Sequence, residues 1–146
     1  MKIRHIFFTF FCFLTLMCCQ ISPSPIEYGT DGCHYCQMTI VDKLHAAQIV
    51  NQKGKAFKFD AIECMIRFSQ TIDSTSIALH LCNNYTEPGQ LIDAKKATFL
   101  ISKNVPSPMG AYLSAFQSER EARKTQKENE GILFTWETLL NHLNKD

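Results

Sequence analysis

The stretch Lys55-Ala56-Phe57-Lys58-Phe59-Asp60-Ala61-Ile62-Glu63-Cys64-Met65 decides the fold, because its pattern changes from strand to helix at one point. Apolar and polar residues alternate up to Phe59, as they do in a half-buried strand. Asp60 has the side chain of a helix N-cap, and Glu63 stands at the capping-box position three residues later. The following residues predict a helix packed on a sheet, since apolar side chains recur at i, i+3, i+4 and i+7: Ala61, Cys64, Met65 and Phe68.

A second strand-to-helix pattern occurs near the end of the chain. Residues 131–134 predict a strand, and Thr135 is the matching helix cap. Aligning Phe59 with Phe134 places the first apolar stripe on a second one, formed by Trp136, Leu139, Leu140 and Leu143. We therefore predict two related strand–strand–helix–strand halves, about residues 28–90 and 91–146, packed as one compact α+β domain.

Further elements are expected between and around these two stretches. Alternating residues predict a strand over 77–82, and an apolar run predicts another strand over 97–101. Between them, Asn83-Asn84 and Glu87-Pro88-Gly89 mark a turn region. Ser118 and Glu121 form a capping box that opens a polar helix reaching about Glu130. Residues 38–41, directly after two closely spaced cysteines, also have the pattern of a strand.

The first residues are typical of an export signal. Lys2 and Arg4 precede an apolar run over residues 6–17 that is too short to span a membrane. The run ends in a bacterial lipobox, which predicts removal of residues 1–18 and lipid attachment at Cys19; an ordinary signal peptide cut nearby is the alternative. Residues 19–27 would form a tether for a domain over residues 28–146. We expect a protein of the cell envelope, anchored to a membrane and facing the periplasm or the exterior.

Charge and motif content exclude several function classes. Without the two basic residues of the leader, 13 basic residues face 14 acidic ones, so nothing favours a nucleic acid partner. Neither a phosphate-binding loop nor a nucleophile elbow nor a zinc-protease motif occurs in the sequence. We expect a protein that is not an enzyme.

The segment Cys33-His34-Tyr35-Cys36-Gln37-Met38 carries the chemistry. It places two thiols and a thioether within six residues, and these soft ligands favour copper(I). A regular strand after Cys36 would present Cys36 and Met38 on the same side, with Cys33 folding back from the turn. The pair Cys33 and Cys36 is also compatible with a disulfide, or with another metal or redox use.

For the other sulfur and imidazole side chains, the neighbouring residues indicate whether the role is metal binding or packing. Met109, between Pro108 and Gly110 on a predicted loop, is either a distant ligand or a packing residue. The remaining candidates favour structural interpretations, as core side chains or a surface imidazole: Cys64, Met65, Cys82 and His34.

Several separated motifs together resemble those of the NosL family, accessory lipoproteins of nitrous oxide reductase assembly. The resemblance rests on the order of these segments: Cys33-x-x-Cys36-x-Met38-x-Ile40, Phe59-Asp60-Ala61-Ile62-Glu63-Cys64-Met65, Leu91-Ile92-Asp93-Ala94 with Ala97, Ser107-Pro108-Met109-Gly110 with Ala115-Phe116, and Gly131-Ile132-Leu133-Phe134.

This resemblance implies a copper(I)-binding metallochaperone that works with a membrane copper transporter complex. Its client would be nitrous oxide reductase or another exported copper protein. The implied copper ligands are Cys36 and Met38, with Cys33 as their upstream partner and Met109 from the second half. The family commonly has glycine where this chain has Gln37, so we expect the local turn to differ. The alternative function is a thiol–disulfide redox protein that uses Cys33 and Cys36.

Overall fold

The computed structural model describes residues 21–144 of the 146-residue chain. The predicted leader and the lipidation residue Cys19 therefore lie outside the described residues. Along the chain the elements are β1 (Ala47–Asn51), β2 (Ala56–Phe59), α1 (Ile62–Ser69), a short 3-10 helix (Ser74–Ser76), β3 (Ile77–Asn84), β4 (Glu87–Asp93), β5 (Thr98–Ile101), β6 (Leu113–Phe116), α2 (Glu119–Asn129), β7 (Ile132–Phe134) and α3 (Trp136–Leu143).

Two antiparallel sheets confirm the α+β class. The first has the strand order β2-β1-β3-β4, and the second has the order β6-β5-β7. In each sheet the first strand of the half lies in the centre, between the second and the third. Both halves thus have the predicted strand–strand–helix–strand order, and β4 and α3 are additions to it.

The repeat has a different register from the one that the sequence alignment predicts. Strand order equates β2 with β6, and therefore α1 with α2, whereas the alignment of Phe59 with Phe134 equates β2 with β7 and α1 with α3. That alignment is wrong because every helix packed on a sheet repeats the same apolar spacing, so the spacing alone does not identify the equivalent helix.

One hydrophobic core joins the two halves. It contains Phe59 and Met65 from the first half and Phe99 and Leu139 from the second, all with no exposed surface. Burying each such side chain contributes about 1.5–3 kcal/mol to folding. The shared core makes the two halves a single structural unit.

Polar contacts also cross between the halves. The backbone N–H of Tyr85 donates to the carbonyl of Ala115 at 2.8 Å, which extends β3 toward β6. The buried imidazole of His45 lies 2.8 Å from Asp42 Oδ2 and 3.1 Å from the Ser114 hydroxyl on β6. These contacts fix the relative position of the two sheets.

Both predicted helix starts in the second half are confirmed. The Ser118 hydroxyl accepts from the backbone N–H of Glu121, and the Glu121 carboxylate returns to Ser118, so α2 begins with a capping box. Thr135 caps α3 through the backbone N–H of Thr138. None of the helices among residues 21–144 has the length and apolar character needed to cross a membrane.

Two local predictions are wrong, and a third is right only in part. Asp60 does not cap α1: the N-cap is Ala61, which makes no side-chain cap bond, and Glu63 makes other contacts. Residues 38–41 form no strand, since only Thr39 pairs, in an isolated bridge with Gly32. The chain reverses inside the predicted turn region, between the end of β3 at Asn84 and the start of β4 at Glu87, although the residues predicted to mark the turn belong to the two strands.

Candidate metal centre

The loop that carries Cys33 and Cys36 is a tight turn held by backbone hydrogen bonds. The N–H of Cys33 donates to the carbonyl of Met38 at 2.7 Å, and the N–H of Gln37 donates to the carbonyl of Cys33 at 3.0 Å. Gln37 has φ +66°, the left-handed conformation that favours glycine. Gln37 therefore adopts a glycine-type conformation, and the turn closes around the two thiols.

This loop is attached to the end of β2. The backbone N–H of His34 donates to the carbonyl of Lys58 at 2.8 Å. The Lys58 ammonium also pairs with Asp31 Oδ2 at 2.6 Å, and both side chains are partly covered. Because β2 ends at Phe59, the attachment places the thiols beside the residues that follow the strand.

Asp60 and Cys64 are those residues, and they complete a four-residue cluster. Asp60 lies between β2 and α1, and Cys64 lies in the first turn of α1. The candidate ligand atoms of Cys33, Cys36, Asp60 and Cys64 all lie within 4.8 Å of one another. Cys33 and Cys64 are each 1 % exposed and Asp60 is 3 % exposed, whereas Cys36 is partly exposed. Three thiols and one carboxylate thus converge at a site that solvent reaches from the side of Cys36.

Hydrogen bonds distribute the protons in this cluster. The Cys64 thiol donates to Cys33, which lowers the pKa of Cys33 to about 6 although burial opposes the shift. The same hydrogen bond, together with burial, raises the pKa of Cys64 far above its usual range. Burial raises the pKa of Cys36 to about 11, and its thiol donates to Asp60 Oδ1 at 3.4 Å.

The lowered pKa of Cys33 favours its thiolate, whereas the raised pKa values of Cys36 and Cys64 favour their protonated thiols. A metal ion that binds all three sulfurs must displace the two remaining protons. Three sulfur donors in a largely buried site match the preference of a soft, monovalent ion.

The two predicted methionine ligands lie on more exposed segments. Met38 follows the turn directly and is 54 % exposed. Met109 is 36 % exposed and occupies the third position of a turn in which the N–H of Gly110 donates to the carbonyl of Ser107 at 3.1 Å. The roles of the two thioethers as copper ligands stay predictions.

His34 and Cys82 have structural surroundings, as the sequence predicts. The His34 ring packs edge-on against Phe57 and Phe68, with ring centres 4.8 and 5.5 Å apart. Cys82 is fully buried in β3, and burial raises its pKa. Neither side chain is part of the four-residue cluster in the described part of the chain.

Two cluster residues were missed by sequence reasoning. Cys64 was interpreted as a core thiol because it fits the apolar stripe of α1, and Asp60 was interpreted as a cap because it precedes a helix. The sequence did contain a signal for a metal site here. Asp60 and Cys64 can both bind a metal ion, and they lie four residues apart where a strand is followed by a helix. Their position beside the Cys33 loop depends on the attachment of that loop to β2.

The Asp42–His45–Ser114 chain has the residue types of a hydrolase triad but a different environment. Ser114 has no exposed surface, and His45 is 1 % exposed. A nucleophilic serine must meet its substrate. This arrangement therefore serves to connect the halves.

Comparison with known proteins relates most of the chain to a family and to a solved structure. The sequence model of the NosL family matches residues 25–143. The crystal structure of the copper chaperone NosL from Shewanella denitrificans superposes with a TM-score of 0.71 at 16 % identity, covering 81 % of this chain and 95 % of that chain. At this identity the superposition establishes a shared fold. No curated protein matches the chain in sequence.

Proposed function

The chain belongs to the NosL family, and from that premise we propose that it is a membrane-anchored copper(I) metallochaperone. The cluster of Cys33, Cys36, Cys64 and Asp60 is the single observation that carries the proposal. Copper is the cargo of this site. It arrives from a donor and leaves with a client.

The donor set supports copper(I) over harder ions. Thiolates are soft ligands, and soft ligands select copper(I) among the metals available in a cell envelope. Zinc would also accept three sulfurs and one carboxylate in a tetrahedral site. Copper(I) differs because it tolerates low coordination, so the thiols alone suffice and the carboxylate need not bind the ion.

The uneven exposure of the sulfurs suggests how copper is released. Cys33 and Cys64 are buried, whereas Cys36 is partly exposed and Met38 stands out into solvent. A ligand of the client can approach from this exposed side and replace one sulfur at a time. Ligand exchange of this kind transfers the ion without releasing it into solution.

The client and the location follow from the family and the leader. We propose nitrous oxide reductase or another exported copper protein as the client, with a membrane copper transporter complex as the source. Lipid on Cys19 would hold the protein at the membrane, where that source lies. Family membership supports both proposals, and the leader sequence supports the anchor.

The alternative is a thiol–disulfide protein. One observation favours it, because Cys33 carries a lowered pKa and lies close to two further thiols. Reactive redox cysteines combine a low pKa with exposure, however, and Cys33 is 1 % exposed. The copper site therefore agrees better with the geometry.

Competition titration of the reduced full-length protein with copper(I) tests the proposal. We expect Cys36→Ser to lower the affinity at least about tenfold, as loss of a direct ligand should exceed the tenfold lower bound for outer partners. Met38→Leu should also lower it while leaving thiol redox behaviour unchanged. Cys82→Ala is the matched control, since Cys82 lies outside the cluster. Equal affinity of the wild type, Cys36→Ser and Met38→Leu would refute the proposal.

A further inference from the structure

The buried carboxylate of Glu63 contacts the loop that carries Met109. Glu63 is 4 % exposed and directly precedes Cys64 in α1. Its Oε1 atom accepts from the Ser107 hydroxyl at 3.2 Å and from the backbone N–H of Ala111 at 3.3 Å. One oxygen atom thus holds both ends of a five-residue segment whose middle residue is Met109.

The segment between these contacts has little freedom of its own. Ser107 and Gly110 close a turn, with Pro108 at the position that proline favours and Gly110 at φ +76°. The turn is therefore a preformed unit. Contacts with other parts of the protein fix the orientation of the turn relative to α1. Glu63 makes two of these contacts, both of them hydrogen bonds.

The other oxygen of Glu63 shows that burying this carboxylate lowers the stability of the fold. Oε2 is buried and has no hydrogen-bond partner among residues 21–144. A buried carboxylate with an unpartnered oxygen is unfavourable for stability alone. Its hydrogen bonds among residues 21–144 go to the Met109 turn, so holding that turn is the role that its contacts indicate.

We propose that Glu63 is a positioning residue for copper binding, which holds the Met109 turn so that its thioether can complete the site built on Cys64 and its partners. The inference rests on the proposed function. Glu63 links the two halves of the site, since Cys64 follows it in the first half and the turn belongs to the second. It acts through Met109 and does not itself bind copper.

A double-mutant cycle on the full-length protein tests this role, with copper(I) affinity measured by competition against a chelator. We expect Glu63→Ala to lower the affinity about 10–100-fold, the range seen when an outer partner of a metal ligand is removed, and Met109→Leu to lower it at least as much. The double variant should lose no more than the larger single loss, because Glu63 acts only through Met109. Additive losses would overturn the proposal, as would an unchanged affinity in Met109→Leu.

Rescue by a conservative variant separates positioning from charge. Glu63→Gln keeps a carbonyl oxygen for both hydrogen bonds, so we expect it to bind copper(I) close to the wild-type level. Glu137→Ala is the matched control, since Glu137 is also the second residue of a helix but is exposed. A loss in Glu63→Gln equal to that of Glu63→Ala would contradict positioning.

A milder variant covers the case in which Glu63→Ala fails to fold. Ser107→Ala removes one of the two hydrogen bonds and should lower the affinity in the wild-type background but not beside Met109→Leu. An equal effect in both backgrounds would overturn the inference. If neither the wild type nor any variant binds copper(I), the proposed function itself fails; if Cys36→Ser weakens binding while Met109→Leu does not, only the positioning role fails.

Discussion

The Cys36 thiol donates a hydrogen bond to Asp60 Oδ1 at 3.4 Å, across the gap between the cysteine loop and the end of β2. This contact has two consequences. It occupies the carboxylate with a neutral donor, and it adds to the effect of burial, which raises the pKa of Cys36. A copper(I) ion that binds this sulfur must therefore displace the proton at Cys36.

Replacement of Asp60 should separate soft from hard metal ions. Asp60→Asn keeps an oxygen that accepts from Cys36 but removes the charge. Because copper(I) relies on sulfur, we expect its affinity to fall less than about tenfold, while zinc affinity falls further. Competition titrations with both ions measure the two losses. A larger loss for copper(I) than for zinc would show that the carboxylate is a principal copper ligand.

Removal of Cys64 tests the residue that the apolar stripe concealed. We expect Cys64→Ala to lower copper(I) affinity at least about tenfold, since loss of a direct ligand should exceed the effect of losing an outer partner. Cys82→Ala removes an equally buried thiol outside the cluster and should leave the affinity unchanged. If the two variants bind copper(I) alike, Cys64 is a packing residue after all.

The backbone of Gln37 predicts a stabilising substitution. A left-handed conformation costs a residue with a side chain about 1–2 kcal/mol, whereas glycine loses about 0.5–1 kcal/mol through its greater freedom when unfolded. We therefore expect Gln37→Gly to raise the free energy of unfolding by up to about 1 kcal/mol, measured by chemical denaturation.

Gln52 provides the control for this substitution. It is an exposed turn residue outside the left-handed region. Gln52→Gly should lower the free energy of unfolding by about 0.5–1 kcal/mol. A loss of stability in Gln37→Gly as large as that in Gln52→Gly would show that Gln37 is not strained.

His80 should make stability fall in mild acid. Burial lowers the pKa of His80 to about 4, with a smaller contribution from Lys95 in the same direction and an opposing one from Asp93. The unfolded chain takes up this proton near its ordinary pKa of about 6.5. The unfolded state thus binds more protons between pH 6.5 and 4, and the free energy of unfolding decreases as the pH falls through that range.

Denaturation at pH 7 and pH 5 measures this effect. His80→Gln removes the titrating group while keeping a polar side chain against Trp136. We expect a smaller decrease in stability between the two pH values for this variant than for the wild type. An equal decrease in both proteins would assign the acid sensitivity to other residues.

Local patterns allowed most of the secondary structure to be predicted. The strand and helix around Phe59, and the caps at Ser118 and Thr135, depend on residues close in sequence. The repeated strand–strand–helix–strand order was also predicted, but its register was not. Register depends on which strands pair, and pairing joins residues far apart in the chain.

In the candidate site, too, the features that depend on nearby residues were predicted and those that depend on distant contacts were not. Cys33 and Cys36 were predicted because their spacing is itself a signal. Cys64 and Asp60 each had a sufficient local explanation, as a core thiol and as a cap. Only the contact of the Cys33 loop with β2 brings them to the two cysteines, and that contact runs through backbone atoms that carry no sequence signature.

X-ray absorption at the copper edge of the copper(I)-loaded, reduced protein identifies the atoms that bind the ion. We expect sulfur to dominate the first coordination shell of the wild type and Cys64→Ala to lose part of this sulfur. Cys82→Ala should give the wild-type spectrum. A first shell made of nitrogen and oxygen, or a sulfur shell that Cys64→Ala leaves unchanged, would contradict the assignment of copper(I) to the cluster of Cys33, Cys36 and Cys64.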